Sequence, residues 1–402
     1  MSKGRVMRKW IAATLLCLAV TCVWAQDQKA AQANELFLAG KRVDALPLYQ
    51  DLANQYPSQM LYQERLADCL GAEAVQLSDP AEIKAVRIRQ RDAAKRAVEL
   101  GDTAEYVKMM ANLDPDQPLF SGIAGAGKTL LMEAEKAYAA GDFQTAMAKY
   151  TAAAEADPHL YEAPLYAGDT AYVQHDMPTA AQWFARAIGV DPNRETAYRY
   201  WGDAILKYGS DPAAAREKFI EAVVAEPYSK LAWQGINQWA KIENAVVQAP
   251  KIDRPAPPTR DPNNPSKTII TISPQDTAGN QEGNVAWTAY SIERALYQGD
   301  EFKKQFPNES TYRHTLKEEH DALSAAVAII KERNIGRDSL DESLRNLLDV
   351  SDAGMLDCWI LIGGSDDGIA QDYPAYRDQH RQLLHDYLSR FVIHDQGVGS
   401  AQ

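Results

Sequence analysis

The sequence predicts a predominantly α-helical fold: an α-solenoid of paired helices followed by a separate, mostly helical domain. Three segments align on one another at a step of 34 to 35 residues. Proline, aromatic and alanine positions all keep this step: Pro158, Pro192 and Pro227; Tyr150, Phe184 and Phe219; Ala153, Ala187 and Ala222. A fixed period in this range is typical of stacked supersecondary units rather than of a single globular core.

The regular array is predicted over residues 129–245. Each unit has the pattern of a helix, a tight turn, a second helix and a proline stop, and Ser229–Ile242 is predicted to be a capping helix for the open apolar end. Residues 28–113 predict looser hairpins of the same kind, with a helix that ends before Pro57 and two further helices over Met60–Leu77 and Ala81–Leu100. A loop rich in Gly and Pro, 114–128, separates the two blocks.

This array resembles the tetratricopeptide repeat family. The resemblance rests on Ala167-Gly168 and Trp201-Gly202 in first helices, and on Ala180, Ala215 and the aromatic, alanine and proline series in second helices. It covers 129–242 well and the earlier hairpins more loosely. It implies that one face of each first helix lines the inner groove of a superhelix, and it implies an architecture rather than an activity.

Residues 246–267 are predicted to form an extended, semi-rigid linker because they contain six prolines. Beyond it, 268–402 is predicted to be a mostly helical domain of unknown function, with one strand over Lys267–Ser273. It shows no internal repeat and no recognisable catalytic family.

Residues 1–25 predict a secretory signal peptide. A basic start, Met1–Lys9, precedes the apolar run Trp10–Val23, and the expected cleavage point lies between Ala25 and Gln26. A membrane anchor is the alternative, but the run is short for a span of about 20 residues. The chain is therefore expected to be exported, either periplasmic or secreted, without stable membrane insertion after cleavage.

The net charge and the cysteine content further restrict the class of protein to which the chain can belong. Cleavage changes the net charge from −13 to −17, because 1–25 holds four basic residues and no acid. Such an acidic chain lacks the basic footprint of a nucleic-acid binder. The two remaining cysteines, Cys69 and Cys358, are too few for a disulfide framework, and the sequence leaves open whether they pair.

Residues Gly122–Thr129 match the phosphate-binding loop pattern, in which Lys128 would reach the phosphates. The segment before the loop contains Asp114, Pro115, Asp116 and Pro118, which cannot form the buried strand that such a loop requires. We therefore interpret the match as coincidental.

The repeats offer a better hypothesis, a partner-binding face on the first helices. Glu135, Asp169 and Asp203 keep the repeat step, and Tyr138 and Tyr172 follow three residues later on the same helical face. Four further residues are expected to project into the same groove: Arg199, Lys207, Gln234 and Gln238. An acidic and aromatic stripe suits an extended basic or amphipathic peptide. The alternative is a solvated inner wall with local helix pairing.

Neither a catalytic nor a metal site is predicted. His314, Glu318 and His320 are predicted to lie on one helix, Tyr312–Arg333, but they lack the spacing of a zinc helix. Asp366-Asp367 is the pattern of a polar turn. We therefore expect a non-catalytic scaffold, without cofactor, that binds a protein or peptide. The alternative is that 268–402 is an enzyme or small-ligand module with the repeats as its targeting arm.

Overall fold

The computed structural model describes residues 28–117, 119–120, 122–209, 211–261, 264–270, 281–297 and 301–395. The predicted signal peptide lies outside these residues. The chain divides into two compact units between Asp211 and Pro212. None of the described helices is long and apolar enough to cross a membrane.

The first unit consists of helices joined by short turns. They are α1 (28–38), α2 (Arg42–Gln55), α3 (Met60–Gln76), α4 (Pro80–Glu99), α5 (Glu105–Ala111), α6 (Gly125–Ala139), α7 (Phe143–Ala156), α8 (Glu162–Val173), α9 (Met177–Val190) and α10 (Glu195–Tyr208). Consecutive helices pack against one another from α2 to α5 and from α6 to α10. Helix α6 also contacts α3 and α8, and α8 contacts α10. The predicted hairpins of the two blocks are therefore confirmed, with first helices that follow one another in contact.

Repeated acids fix the start of the second helices. Asp142 accepts a hydrogen bond from the backbone N–H of Thr145 at 3.1 Å at the start of α7. One repeat later, Asp176 accepts from Thr179 at 3.2 Å at the start of α9. These side chains satisfy backbone donors that the helix itself leaves unpaired.

The aromatic series of the repeats forms the core. Tyr150 and Phe184 are fully buried, the latter on the second helix of its hairpin. A Cβ at Gly168, on the facing helix α8, would lie 2.6 Å from the Phe184 ring. Glycine at 168 therefore lets the two helices approach to the distance at which the ring fills the space between them.

The second unit contains two more repeat-like helices and the C-terminal helices. They are α11 (Pro212–Ala225), α12 (Lys230–Glu243), α13 (Gln281–Leu296), the short α14 (Phe302–Gln305), α15 (Leu316–Glu332), α16 (Glu342–Asp352), α17 (Leu356–Ile362) and α18 (Tyr373–Tyr387). In the predicted capping helix α12, Ile236 and Trp239 are buried. The described residues of the second unit also form four short strands: β1 (Ala245–Val247), β2 (Thr259–Asp261), β3 (Asn264–Ile269) and β4 (Ile393–Asp395).

The strands form two antiparallel pairs. β1 pairs with β4, with Val246 opposite His394. β2 pairs with β3, so part of the predicted linker is a β-hairpin. The predicted strand Lys267–Ser273 overlaps β3, and its last residues lie outside the described ones.

The proline-rich segment does not separate two bodies in this structure. Helix α11, which precedes it in the chain, is joined to the C-terminal helices: Tyr373 donates to the carbonyl of Val224 at 2.6 Å, and Arg377 donates to that of Ala225 at 2.9 Å. Within the segment, the carbonyl of Pro250 accepts from the Trp359 indole at 2.8 Å. The division at Asp211 thus differs from the sequence-based boundary at 246–267. A run of prolines predicts an extended backbone but not whether that backbone is packed.

Both remaining cysteines, Cys69 and Cys358, are buried free thiols. Burial raises the pKa of each thiol to about 12, so neither is a thiolate at neutral pH.

Candidate functional site

Four first helices of the first unit each carry a carboxylate directly after a small residue, at corresponding positions of their hairpins. The pairs are Ala67-Asp68 on α3, Ala134-Glu135 on α6, Gly168-Asp169 on α8 and Gly202-Asp203 on α10. We call Asp68, Glu135, Asp169 and Asp203 the acidic stripe. The small residues are all buried in helix packing. Because each carboxylate is the next residue in its helix, this packing also sets the direction in which the carboxylate projects.

Three members of the stripe, Glu135, Asp169 and Asp203, were predicted from the sequence, whereas Asp68 was not. The hairpin that contains Asp68 has longer helices and is followed by the additional helix α5, so the step to Glu135 is not a single repeat length. The small-then-acidic pair was the signal that would have found it.

Tyrosine hydroxyls connect the stripe to its surroundings. Tyr138 donates to Oδ2 of Asp169 at 2.7 Å, from one first helix to the next. Tyr150 donates to Oε1 of Glu135 at 2.5 Å, from the second helix of the same hairpin. Arg42, at the start of α2, lies close enough to Tyr138 and Asp169 for its positive charge to act on both groups. The middle of the stripe is therefore a preformed network.

Burial raises the pKa of every carboxylate in the stripe. The pKa of Glu135 rises to about 7, against the opposing hydrogen bond from Tyr150. That of Asp203 rises to about 6, against the opposing charge of Arg199. The pKa values of Asp68 and Asp169 rise for the same reason, opposed in part by Arg42. Glu135 and Asp203 therefore exchange protons near neutral pH, where a cationic partner would favour their charged forms.

The α10 end of the stripe carries cations and aromatic rings. Arg199 forms a salt bridge with Glu195 at 2.8 Å on the same helix. The Lys207 ammonium lies 5.6 Å from the centre of the Tyr172 ring and 5.0 Å from that of Tyr208. Lys207 and Tyr208 are exposed, so this end presents a cation and aromatic surface to solvent.

The structure therefore brings seven of the predicted residues into the first unit, on α6, α8 and α10: Glu135, Tyr138, Asp169, Tyr172, Arg199, Asp203 and Lys207. The two predicted glutamines, Gln234 and Gln238, lie on α12 of the second unit, and both are exposed.

In the structure, the residues that match the phosphate-binding loop pattern run into the first turns of a repeat helix. Lys128 lies in the first turn of α6, the first helix of a hairpin. Gly127 packs in that helix, where a Cβ would lie 3.2 Å from Leu160. No strand precedes the motif among the described residues 111–124, so the arrangement that aims backbone amides at phosphates is not formed by them.

His314, in the second unit, does not lie on the helix that was predicted to contain it. His314 precedes α15 rather than lying on it. Its Nε2 lies 2.9 Å from Glu319 and its Nδ1 lies 2.7 Å from Asp366. Asp366 does occupy a polar turn, as predicted, because its Oδ1 accepts from the backbone N–H of Gly368 at 3.0 Å. Across the described part of the chain, no three His, Cys, Asp or Glu side chains are arranged to hold a metal ion.

No protein-family model matches the chain, and no curated protein matches it in sequence. Among solved structures, it is similar to the crystal structure of YrrB, a TPR protein with an unusual peptide-binding site, at 16% identity over 51% of this chain and 88% of that one, with a TM-score of 0.27. It is also similar to the P58(IPK) TPR domain, at 12% identity over 91% of this chain and 100% of that one, with a TM-score of 0.26. At these TM-scores the assignment of the fold depends on the hairpins themselves. Their repeated anchors, caps and close helix approach make the first unit an array of helical hairpins that resembles tetratricopeptide repeats.

Proposed function

We propose that this protein is an exported, non-catalytic scaffold that binds a partner protein through an extended basic or amphipathic segment. The segment lies along the acidic stripe of the first unit. The observation that carries the proposal is the recurrence of a half-buried carboxylate on each of four first helices in contact, from Asp68 to Asp203.

Carboxylates at a regular step suit a ligand whose cations are regularly spaced. Lysine and arginine side chains donate charge-assisted hydrogen bonds to such groups, and these are stronger than neutral ones. Tyr172 and Tyr208 at the α10 end add flat rings for the aliphatic or cationic parts of the same ligand. The exposed Lys207 in turn provides a contact for an acidic or carbonyl group, which favours an amphipathic ligand.

The scaffold supports binding because its side chains are already positioned. Hydrogen bonds from Tyr138 and Tyr150 fix Asp169 and Glu135 before any ligand arrives. A preformed site reduces the conformational entropy lost on association. A specific interface needs roughly 800 Å² on each partner, which an extended segment along several helices can supply.

Export is proposed from the sequence of residues 1–25 alone, with its basic start, apolar run and small residues before Gln26. The partner is accordingly sought in the periplasm or outside the cell.

The test is a fluorescence-anisotropy titration with two labelled extended peptides, one alternating lysine and leucine and the other alternating glutamate and leucine. The basic peptide is expected to bind, and Asp203→Asn should weaken it about tenfold, the size of one charged contact. Glu155→Gln is the matched control, because Glu155 is an exposed carboxylate on the second helix α7. Equal affinity for the two peptides, or no effect of Asp203→Asn, contradicts the proposal.

One observation favours a second candidate function, small-ligand binding by the second unit. A cavity of about 700 Å³ lies between the proline-rich segment and the C-terminal helices.

A further inference from the structure

The cavity of about 700 Å³ in the second unit has the size of a small-molecule site. Residues 252–258 form one wall, and Tyr290, Arg294, Tyr312, His314 and Asp366 line the rest. Nothing in the proposed partner binding uses this cavity, which lies entirely within residues 212–395.

Four of the lining residues, Arg254, Tyr290, Arg294 and His314, contact the buried carboxylate of Glu319 behind the cavity surface. In this ionic network, the carboxylate accepts from Arg254 at 2.7 Å, from Arg294 at 2.7 Å and from Tyr290 at 3.1 Å, and the His314 ring lies 2.9 Å away. The charge of Glu319 is therefore fully met by the protein, which leaves this carboxylate no capacity for a ligand.

At one end of the network, Arg254 donates one N–H to Glu319 and another to the carbonyl of Gly364 at 2.8 Å. A guanidinium has five N–H groups, so three have no hydrogen-bond partner among the residues that the structure describes. The side chain is 25% exposed. The packing of Arg254 against the Trp359 ring, at 5.4 Å, holds the guanidinium in place. A carboxylate entering the cavity can bind there in the forked geometry that arginine favours.

The other end presents a negative charge. Asp366 is 53% exposed, and its Oδ2 lies 2.7 Å from Nδ1 of His314. Burial alone would raise its pKa, but hydrogen bonds from the backbone N–H of Ile369 and from His314 outweigh burial and lower it. Asp366 is therefore ionised at neutral pH and available to an ammonium group.

The opposite charges at the two ends disfavour a ligand that carries a single charge. An anion on Arg254 would face the carboxylates Asp253 and Asp366 at the same cavity, and a cation on Asp366 would face Arg254 and Arg294. A ligand that carries both charges satisfies both ends. The walls add apolar surface from Ile252, from the prolines of 252–258 and from the Tyr290 and Tyr312 rings.

We propose that the second unit binds a small zwitterion, an α-amino acid with an apolar side chain, whose carboxylate binds Arg254 and whose ammonium binds Asp366. The side chain lies against the proline and tyrosine walls. The site is distinct from the acidic stripe, so the two proposals can be tested independently.

The test is isothermal titration calorimetry of the full chain with L-leucine and L-phenylalanine, each in three forms: the free amino acid, the N-acetyl derivative without an ammonium, and the amide without a carboxylate. At least one free amino acid is expected to bind, and each blocked derivative of it should bind at least tenfold more weakly. A blocked derivative that binds as well as the free amino acid, or absence of binding by both free amino acids, overturns the proposal.

Asp366→Asn should weaken the free amino acid at least tenfold, while its Oδ1 can still accept the backbone hydrogen bonds of the turn. Asp367→Asn is the matched control, since Asp367 is exposed, adjacent and outside the cavity lining. Circular dichroism confirms that both variants are folded. Unchanged affinity in a folded Asp366→Asn variant would also overturn the assignment.

Discussion

The hydroxyl of Tyr138 donates to Oδ2 of Asp169 at 2.7 Å. The donor is on α6 and the acceptor on α8, so this hydrogen bond joins two successive first helices. This bond lies in the middle of the acidic stripe and orients a carboxylate whose pKa is raised by burial. The same stripe therefore combines structural pairing with carboxylates that titrate near neutrality, and its binding and stability should both respond to pH.

Binding of a basic peptide should weaken as pH falls. The pKa values of Glu135 and Asp203 are about 7 and about 6 because both are buried. A cationic ligand favours the ionised forms, so protonation competes with binding below these values. Anisotropy titrations between pH 8 and pH 5.5 are expected to show at least a tenfold loss of affinity. A constant affinity across this range would argue against the stripe as the binding site.

Protonation of Glu135 should have the opposite effect on stability. Its pKa is raised from 4.5 in the unfolded chain to about 7, so the folded state binds more protons between these values. The resulting stabilisation is fully present below about pH 4.5 and is lost as pH rises through about 7. Glu135→Gln should therefore increase the free energy of unfolding at pH 8 by about 1–3 kcal/mol and flatten its dependence between pH 5 and 8, as measured by urea unfolding. Lower stability of the variant at pH 8 would contradict this.

Gly168→Ala should destabilise the first unit. The new Cβ would lie 2.6 Å from Phe184, a fully buried ring with little room to move. Overpacking of this kind costs about 1–3 kcal/mol. Gly189→Ala on α9 is the control, because its Cβ would meet nothing within 4 Å. It should stabilise the helix by roughly 0.5–1 kcal/mol. Thermal unfolding of both variants gives the comparison, and a shift of the same sign in each would be evidence against the packing argument.

Glu319→Gln should destabilise the second unit by about 3–5 kcal/mol, because it removes the carboxylate that is paired with the half-buried Arg254 and one of the two carboxylates paired with the buried Arg294. Burial alone would raise the pKa of Glu319, but His314 and the two arginines lower it to about 2. The stabilisation is present above about 4.5 and is lost as pH falls towards 2. Glu332→Gln, at an exposed position at the end of α15, is expected to change little. Chemical denaturation at pH 7 and pH 3.5 measures both effects, and a variant as stable as the control would count against the network.

A fragment spanning 212–395 should unfold cooperatively, whereas a fragment spanning 268–395 should not fold. The shorter one lacks α11, whose carbonyls accept from Tyr373 and Arg377, and lacks β1, which pairs with β4. Near-ultraviolet circular dichroism and chemical denaturation of the two fragments give the measurement. A well-folded shorter fragment would restore the sequence-based boundary at the proline-rich segment.

Much of the fold follows from the sequence because the signals are local. The repeat step placed the helices of the array, and apolar spacing placed α2, α3 and α4 within a few residues. Helix α15 begins later than expected, at Leu316, because the side chain of Thr315 accepts from the Glu318 N–H and starts the helix there. Tyr312 lies four residues before Leu316 and extends the helical spacing upstream of this cap, so periodicity alone does not mark the start.

Less of the candidate sites was predictable because it depends on distant residues. The repeat step found Glu135, Asp169 and Asp203, but nothing in the sequence indicates that Arg42 interacts with Tyr138. The cavity of the second unit joins Arg254, His314 and Asp366, which come from three separate segments. Each has an ordinary local explanation in sequence, as part of a linker, a helix and a turn, and only the tertiary structure brings them together.

The pairing of Val246 with His394 has a consequence for the order of folding. During synthesis, each hairpin of the first unit can form once its second helix has left the ribosome. The second unit cannot close until the strand at Ile393–Asp395 emerges, long after its partner at Ala245–Val247. Translation therefore separates the two events in time: the first unit can mature early, whereas β1 and β4 pair only after the residues of β4 have been synthesised.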